Sequence, residues 1–129
     1  MTQPKRHRLG DLQLKIMKIL WSRPEATVSD VIDGLGPQVD LAYTTVATML
    51  RKMEAKGLTT HREDGRAFVY RAAVAEHAVT RNMADDLLDK LFAGSLSAMV
   101  SHLLTTREVS REELVRLERL LAERKRRKT

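Results

Sequence analysis

The chain contains no cysteine, which excludes disulfides and thiolate metal sites and is in keeping with a reducing, cytoplasmic setting. Aromatic residues are scarce: Trp21, Tyr43, Phe68, Tyr70 and Phe92 are all there are, so a core must come mainly from Leu, Val, Ile, Met and Ala. No apolar run approaches the roughly 20 residues that span a bilayer. The basic residues Lys5, Arg6 and Arg8 have no apolar segment behind them, so neither a signal peptide nor membrane insertion is expected. Catalytic signatures are missing too. There is no P-loop, no GxGxxG, no HExxH and no Gly-flanked nucleophilic serine. His7, His61, His77 and His102 are too dispersed to specify a metal site. Glu76-His77 and Asp85-Asp86 fall on one predicted helix and read as surface or interface residues, and Gly34-Leu35-Gly36 reads as a turn. The expectation is a non-enzyme that needs no cofactor and no metal.

What the chain does have is positive charge, unevenly spread. Residues 1–72 carry 12 Lys/Arg against 8 Asp/Glu, a balance of +4; residues 73–123 carry 6 against 9, a balance of −3. Arg124, Lys125, Arg126, Arg127 and Lys128 add +5 and bring the net charge to +6. A basic module joined to a mildly acidic helical one fits a phosphate-facing part and a self-associating part. At 129 residues the chain has room for one modest core plus an oligomerisation segment.

Hydrophobic spacing divides the chain further. Residues 1–8 read as a flexible basic arm. Asp11 can cap a first helix to about Ser22, with Leu12, Ile16, Ile19 and Leu20 inward, Trp21 as an anchor and Pro24 as the stop. Thr27-Val28-Ser29-Asp30 resembles a capping box, opening a second helix striped by Val28, Val31, Ile32 and Leu35 and ended by Gly34, Gly36 and Pro37. A third helix is expected from about Ala42 to Lys56, burying Val46, Leu50 and Met53, with Gly57 as its C-terminal cap and Leu58 packing back. Thr59–Arg62 and Ala67–Arg71 read as paired strands around Glu63-Asp64-Gly65-Arg66, whose Asp64-Gly65 is a strong hairpin signal in which both turn residues are expected at positive φ. Phe68 and Tyr70 alternate with Val69 and Arg71, as in a half-buried strand. After Val74 the pattern is helical: the Val79, Met83, Leu87, Leu91 ladder, a break at Gly94, a helix with Leu96, Met99, Val100 and Leu103 inward, and a last one opened by Ser110-Arg111-Glu112-Glu113 and striped by Leu114, Leu117 and Leu121.

The fold class that follows is mainly α with a small β-hairpin. It comprises a winged helix-turn-helix unit over residues 9–73 and a C-terminal helical dimerisation domain over residues 74–123, then a basic tail at 124–129. In a helix-turn-helix the second helix of the pair enters the major groove with its N-terminal residues at base edges. Thr44, Thr45 and Thr48 can offer hydroxyls to bases and methyls to thymine, and Tyr43 can reach a phosphate or stack on an edge. Arg51 and Lys52, further along, suit phosphates, and Arg66 at the hairpin tip suits a phosphate strand or a narrow minor groove. Ordinary solvated charge and helix capping account for the same residues less fully, because the hairpin follows the helix directly. The self-association set is Val79, Met83, Leu87, Leu91, Met99, Leu103, Leu117 and Leu121.

Leu9-Gly10-Asp11-Leu12, Ile19-Leu20-Trp21, Tyr43-Thr44-Thr45-Val46-Ala47-Thr48-Met49-Leu50, Lys56-Gly57-Leu58, Phe68-Val69-Tyr70 and Leu91-Phe92-Ala93-Gly94-Ser95 together resemble the penicillinase-repressor family, in order from about Leu9 to Ala122. The resemblance implies a cytoplasmic homodimeric repressor that binds palindromic operators on double-stranded DNA, often at β-lactamase or other resistance and stress genes. Ala47 occupies a recognition-helix position where other members carry Arg, which bears on the operator sequence. The resemblance also implies release by cleavage within the dimerisation domain, triggered indirectly by a membrane sensor protease. The matching place is Ser101-His102-Leu103, where His102-Leu103 stands in for the Asn-Phe of staphylococcal members. The copper-responsive branch uses C-terminal cysteines, which this chain lacks. Two other readings compete. One is a winged-helix protein-interaction module without a DNA target. The other is a ligand-responsive repressor of the multiple-antibiotic-resistance type, which usually places dimerisation helices at both ends of the DNA-binding unit.

Overall fold

The computed structural model describes residues 9–128, so the N-terminal arm expected at 1–8 lies outside the described residues. The chain forms two compact units that divide inside one helix, between Ala84 and Asp85, later than the charge balance indicates.

The first unit begins with α1 (Asp11–Ser22). Gly10, not Asp11, is its N-cap: its N–H donates to the Gln13 side chain at 3.3 Å. Arg23 is extended, as a residue before proline must be, and the helix ends there. Ile16, Met17 and Leu20 are buried while Leu12 and Ile19 are half-buried, so Met17 joins the inward stripe expected of Leu12, Ile16, Ile19 and Leu20. The capping box at Thr27 forms as expected. Thr27 Oγ1 accepts from the Asp30 N–H at 3.1 Å, and the Thr27 N–H donates to the Asp30 carboxylate at 3.0 Å. The Thr27 backbone N–H, with a smaller contribution from the Thr27 side chain, holds the Asp30 carboxyl below its ordinary pKa. The two bonds open α2 (Val28–Leu35), which contains Gly34 rather than ending before it. A methyl at Gly34 would meet the Ile19 side chain at 2.9 Å, so the missing side chain is what lets α1 and α2 close on each other there.

Helix α3 (Tyr43–Ala55) buries Val46, Leu50 and Met53 completely. Its end is a Schellman motif: the Gly57 N–H reaches the Glu54 carbonyl at 2.9 Å and the Leu58 N–H reaches Met53 at 3.0 Å. Gly57 takes φ +81°, where a side chain would be strained, and Leu58 packs back into the core as its spacing implied.

The β-structure differs from a lone hairpin. Ala26–Thr27 form a short strand, β1, that pairs antiparallel with β3 (Ala67–Ala72), and β3 pairs with β2 (Thr59–Asp64), giving the order β1-β3-β2. Two residues are too few to show a period, which is why β1 cannot be seen in the sequence. With partners on both sides, β3 is the central strand. Val69 and Tyr70 are both buried there, while Phe68 lies outside, stacked on His61 at 4.4 Å between ring centroids. The tight turn is Gly65-Arg66, because Asp64 already pairs with Ala67. Only Gly65 takes positive φ (+64°), the pattern of a type II′ turn, so the expected pair of positive-φ residues at Asp64-Gly65 is corrected.

The second unit contains the end of α4 (Glu76–Phe92), α5 (Leu96–Thr106) and α6 (Arg111–Arg127). Ala93 and Gly94, at φ +50° and +80°, end α4 in a left-handed turn. Ser95 caps α5 by accepting from the Ala98 N–H, and Ser110 caps α6 by accepting from the Glu113 N–H, each at 3.1 Å. Only half of the expected box at Ser110 forms, because the Glu113 carboxylate turns to Arg116 at 2.8 Å. The basic tail continues α6 through Arg127, its cations placed at the negative end of the helix dipole. No residue of α5 or α6 is buried.

Candidate nucleic-acid interface

Val46, Leu50 and Met53 anchor α3 by one face and turn the opposite face outward. Thr44, Thr45, Thr48, Arg51 and Lys52 are exposed on or beside it, and Tyr43 is exposed at the start of the helix. The N-cap is Ala42, which makes no side-chain cap, so the threonines are not spent on capping. Among the described residues no partner holds the hydroxyls of Thr44, Thr45 or Thr48. These three line an open concavity of about 320 Å³ with Lys52 and with Met49, which stands outside the expected contact set. Free hydroxyls, a thioether and a cation on one convex helix are donors, acceptors and an apolar contact at the scale of base edges and phosphates. Ala47 sits differently: it is half-buried and packs against the core, the least available residue of the set.

Ion pairing sorts the hairpin cations. Arg62 Nε donates to the Glu25 carboxylate at 2.6 Å, a bond that raises the guanidinium pKa further, and Arg71 Nε donates to Thr60 Oγ1 at 3.2 Å. Arg66, at the turn, has no ion-pair partner among the described residues, and neither have Arg51 and Lys52. The cations of this region left available to an anion thus include Arg51 and Lys52 on α3 and Arg66 at the tip of the wing.

A side-chain bridge joins these two elements, and no one-dimensional signal could have revealed it. His61 Nδ1 on β2 lies 2.7 and 2.9 Å from the two carboxylate oxygens of Glu54 near the end of α3. The same imidazole stacks on Phe68 and tilts against Tyr70 at 5.6 Å. Burial raises the Tyr70 phenol pKa, and the nearby Glu54 carboxylate adds to the effect. The wing is therefore tied by side chains to the end of the helix it follows.

The expected self-association residues separate into two groups. Val79 is already buried in a single chain and offers no surface to a second, which corrects its place in that set. Met83, Met99 and Leu117 are half-buried, and Leu87, Leu91, Leu103 and Leu121 are exposed. Leu96, Val100, Leu104, Val115 and Leu120 are exposed as well. His102 and Leu103 lie within α5, with the His102 ring 5.6 Å from Phe92. Thr106 Oγ1 donates to the His102 carbonyl at 2.7 Å.

A sequence model described as penicillinase repressor matches residues 9–123. The chain belongs to the penicillinase repressor family. It is 30% identical over 121 residues to the penicillinase repressor of Bacillus licheniformis, with 94% of each chain covered. It is 38% identical over 118 residues to the transcriptional regulator BlaI of Mycobacterium tuberculosis, covering 90% of this chain and 84% of that one. The solution structure of the DNA-binding domain of the repressor BlaI superposes with a TM-score of 0.50 at 30% identity, covering 57% of this chain and 90% of that domain. The chain is therefore a DNA-binding transcriptional repressor with a winged-helix fold, in a family of regulators rather than enzymes. Family membership removes the multiple-antibiotic-resistance-type reading. Among the described residues no single helix is long and apolar enough to cross a membrane.

Proposed function

We propose that this repressor works as a homodimer on a dyad-symmetric operator of resistance genes, β-lactamase genes among them, with one α3 helix in each of two successive major grooves. The observation that carries this reading is the exposed α3 face, where three threonine hydroxyls without internal partners stand beside Arg51 and Lys52. Thr44, Thr45 and Thr48 read base edges, Tyr43 supports them, and Arg51, Lys52 and the wing-tip Arg66 hold phosphates. The half-sites lie about one helical turn, roughly 34 Å, apart. Phosphate neutralisation supplies much of the affinity, so binding falls steeply with salt.

The exposed leucines and valines of α5 and α6 support self-association, since a single chain leaves them in water. Dimerisation gives the discrimination that one small module lacks, because two half-sites add their binding free energies on one DNA. Anything that parts the C-terminal units then lowers operator occupancy. Cleavage at His102–Leu103 is one such route. It requires α5 to unwind locally, because a protease binds extended backbone and this bond lies in mid-helix.

Selection of genomic fragments by the purified protein near physiological salt, followed by footprinting, tests the reading. Protection of a palindrome upstream of a few genes supports it. Diffuse binding that vanishes with salt on every fragment overturns the assignment of α3 as a base reader.

A further inference from the structure

The junction where α4 leaves the winged-helix unit is fastened by contacts that base reading does not use. The Trp21 indole N–H, at the end of α1, donates to the Val74 carbonyl at 2.9 Å. Lys18, one turn earlier, pairs with Glu76 at 2.8 Å, and its ammonium lies 6.0 Å from the Trp21 ring centroid. Val74 packs against the core and Val79, in the second turn of α4, is buried. All of these residues belong to the first unit. The entry into α4 is thus held at the Val74 carbonyl just before it, at the Glu76 carboxylate and at the Val79 side chain, and the bond at Val74 fixes the backbone itself.

We infer that Trp21, with the Lys18–Glu76 pair, is a positioning device that sets the half-site spacing this repressor accepts, by fixing the direction in which α4 leaves the DNA-binding unit. The inference rests on the dimeric reading above. Helix α4 has 17 residues, hence a length of about 25 Å at 1.5 Å per residue. A tilt of about 10° at its root displaces the far end by about 4 Å, close to the roughly 3.4 Å rise of one base pair. Loosening at the root by a few degrees is therefore enough to blur spacing by a base pair, while α3, seated on the core by Val46, Leu50 and Met53, keeps its own contacts.

Trp21→Phe removes the indole donor and keeps a ring; Glu76→Gln removes the ion pair and leaves Trp21 untouched. Fluorescence anisotropy is read for the full chain and both variants on two kinds of duplex. One carries a single half-site recovered by selection from random DNA. The others carry two copies as an inverted repeat, with centres about 8 to about 13 base pairs apart. The wild type is expected to show a sharp optimum, losing about tenfold per base pair away from it. The Trp21→Phe variant is expected to flatten that profile to within about threefold, with single half-site affinity unchanged within about twofold. Glu76→Gln is expected to flatten it partly. An equally sharp optimum in both variants overturns the inference. So does a parallel fall of single half-site affinity, which assigns Trp21 to the folding of the DNA-binding unit. A wild type that binds the inverted repeats more tightly than the single half-site but equally at every spacing overturns this inference alone, and one that binds them no more tightly than the single half-site removes the dimeric reading as well; both are visible before any variant is tested.

Discussion

The two units of this repressor solve burial in opposite ways. The first closes a core on itself: Ile16, Met17, Val31, Val46, Leu50, Met53 and Leu58 are almost wholly shielded, although the unit is small. The second orders its helices with good caps at Ser95 and Ser110, yet leaves no residue of α5 or α6 buried and sets Leu96, Leu120 and Leu121 well out into water. Local signals are thus sufficient in both, but only the first has a complete hydrophobic ledger within one chain. Helix boundaries and domain completeness are therefore separate properties. Caps and periodicity fix the former, and the latter depends on how many apolar faces meet.

The comparison breaks most visibly in the first core. Leu50→Ala is expected to destabilise the winged-helix unit by about 3 kcal/mol, read as a drop in the urea midpoint of unfolding. A Leu120→Asp, Leu121→Asp double variant should leave that unit intact and abolish self-association on sedimentation. Operator affinity should then fall by about two orders of magnitude, the usual size of a lost second attachment. Removing the Thr44 and Thr48 hydroxyls together by substitution with Ala should lower operator preference by about 1 kcal/mol for each lost hydrogen bond while affinity for random DNA holds. Arg66→Ala should instead weaken binding to all sequences alike and reduce the salt dependence by about one counterion per site. Competition titrations at two salt concentrations separate these outcomes.

The smallest expected effect is at the α2 cap. Thr27→Ala should cost about 1 kcal/mol, seen as a modest fall in Tm. The Asp30 half of the box carries a pH signature. Its carboxyl is held below the ordinary 3.8 by the Thr27 bonds. Its contribution is therefore complete above about pH 4 and disappears as pH falls through the lowered folded-state value. The Tm gap between wild type and Asp30→Ala should be constant from pH 8 to pH 5 and shrink in more acid buffer.

Much of this was legible in the sequence because it is written locally. The 46/50/53 stripe, the Thr27 box and the Lys56-Gly57-Leu58 ending each occupy a few consecutive residues, and each forms as its spacing implies. The α3 residues could be placed on an outward face for the same reason. What escaped depends on distant partners. Strand β1 is two residues long and exists only because β3 lies beside it. The II′ turn follows from the Asp64–Ala67 pairing, which the Asp-Gly dipeptide does not reveal. Arg62 and Arg66 look equivalent along the chain until Glu25, 37 residues away, claims the first of them. Val79 fits an amphipathic ladder by spacing, and only the folded chain shows it already covered.

Hydrogen exchange followed by mass spectrometry, on the full chain and on the Leu120→Asp, Leu121→Asp variant, tests the contrast between the units most directly. Helices α1, α2 and α3 should keep the same protection in both, and α5 and α6 should lose theirs once the variant sediments as a monomer. Protected α5 and α6 helices in that monomer would contradict that contrast, because the second unit would then be complete without a second copy.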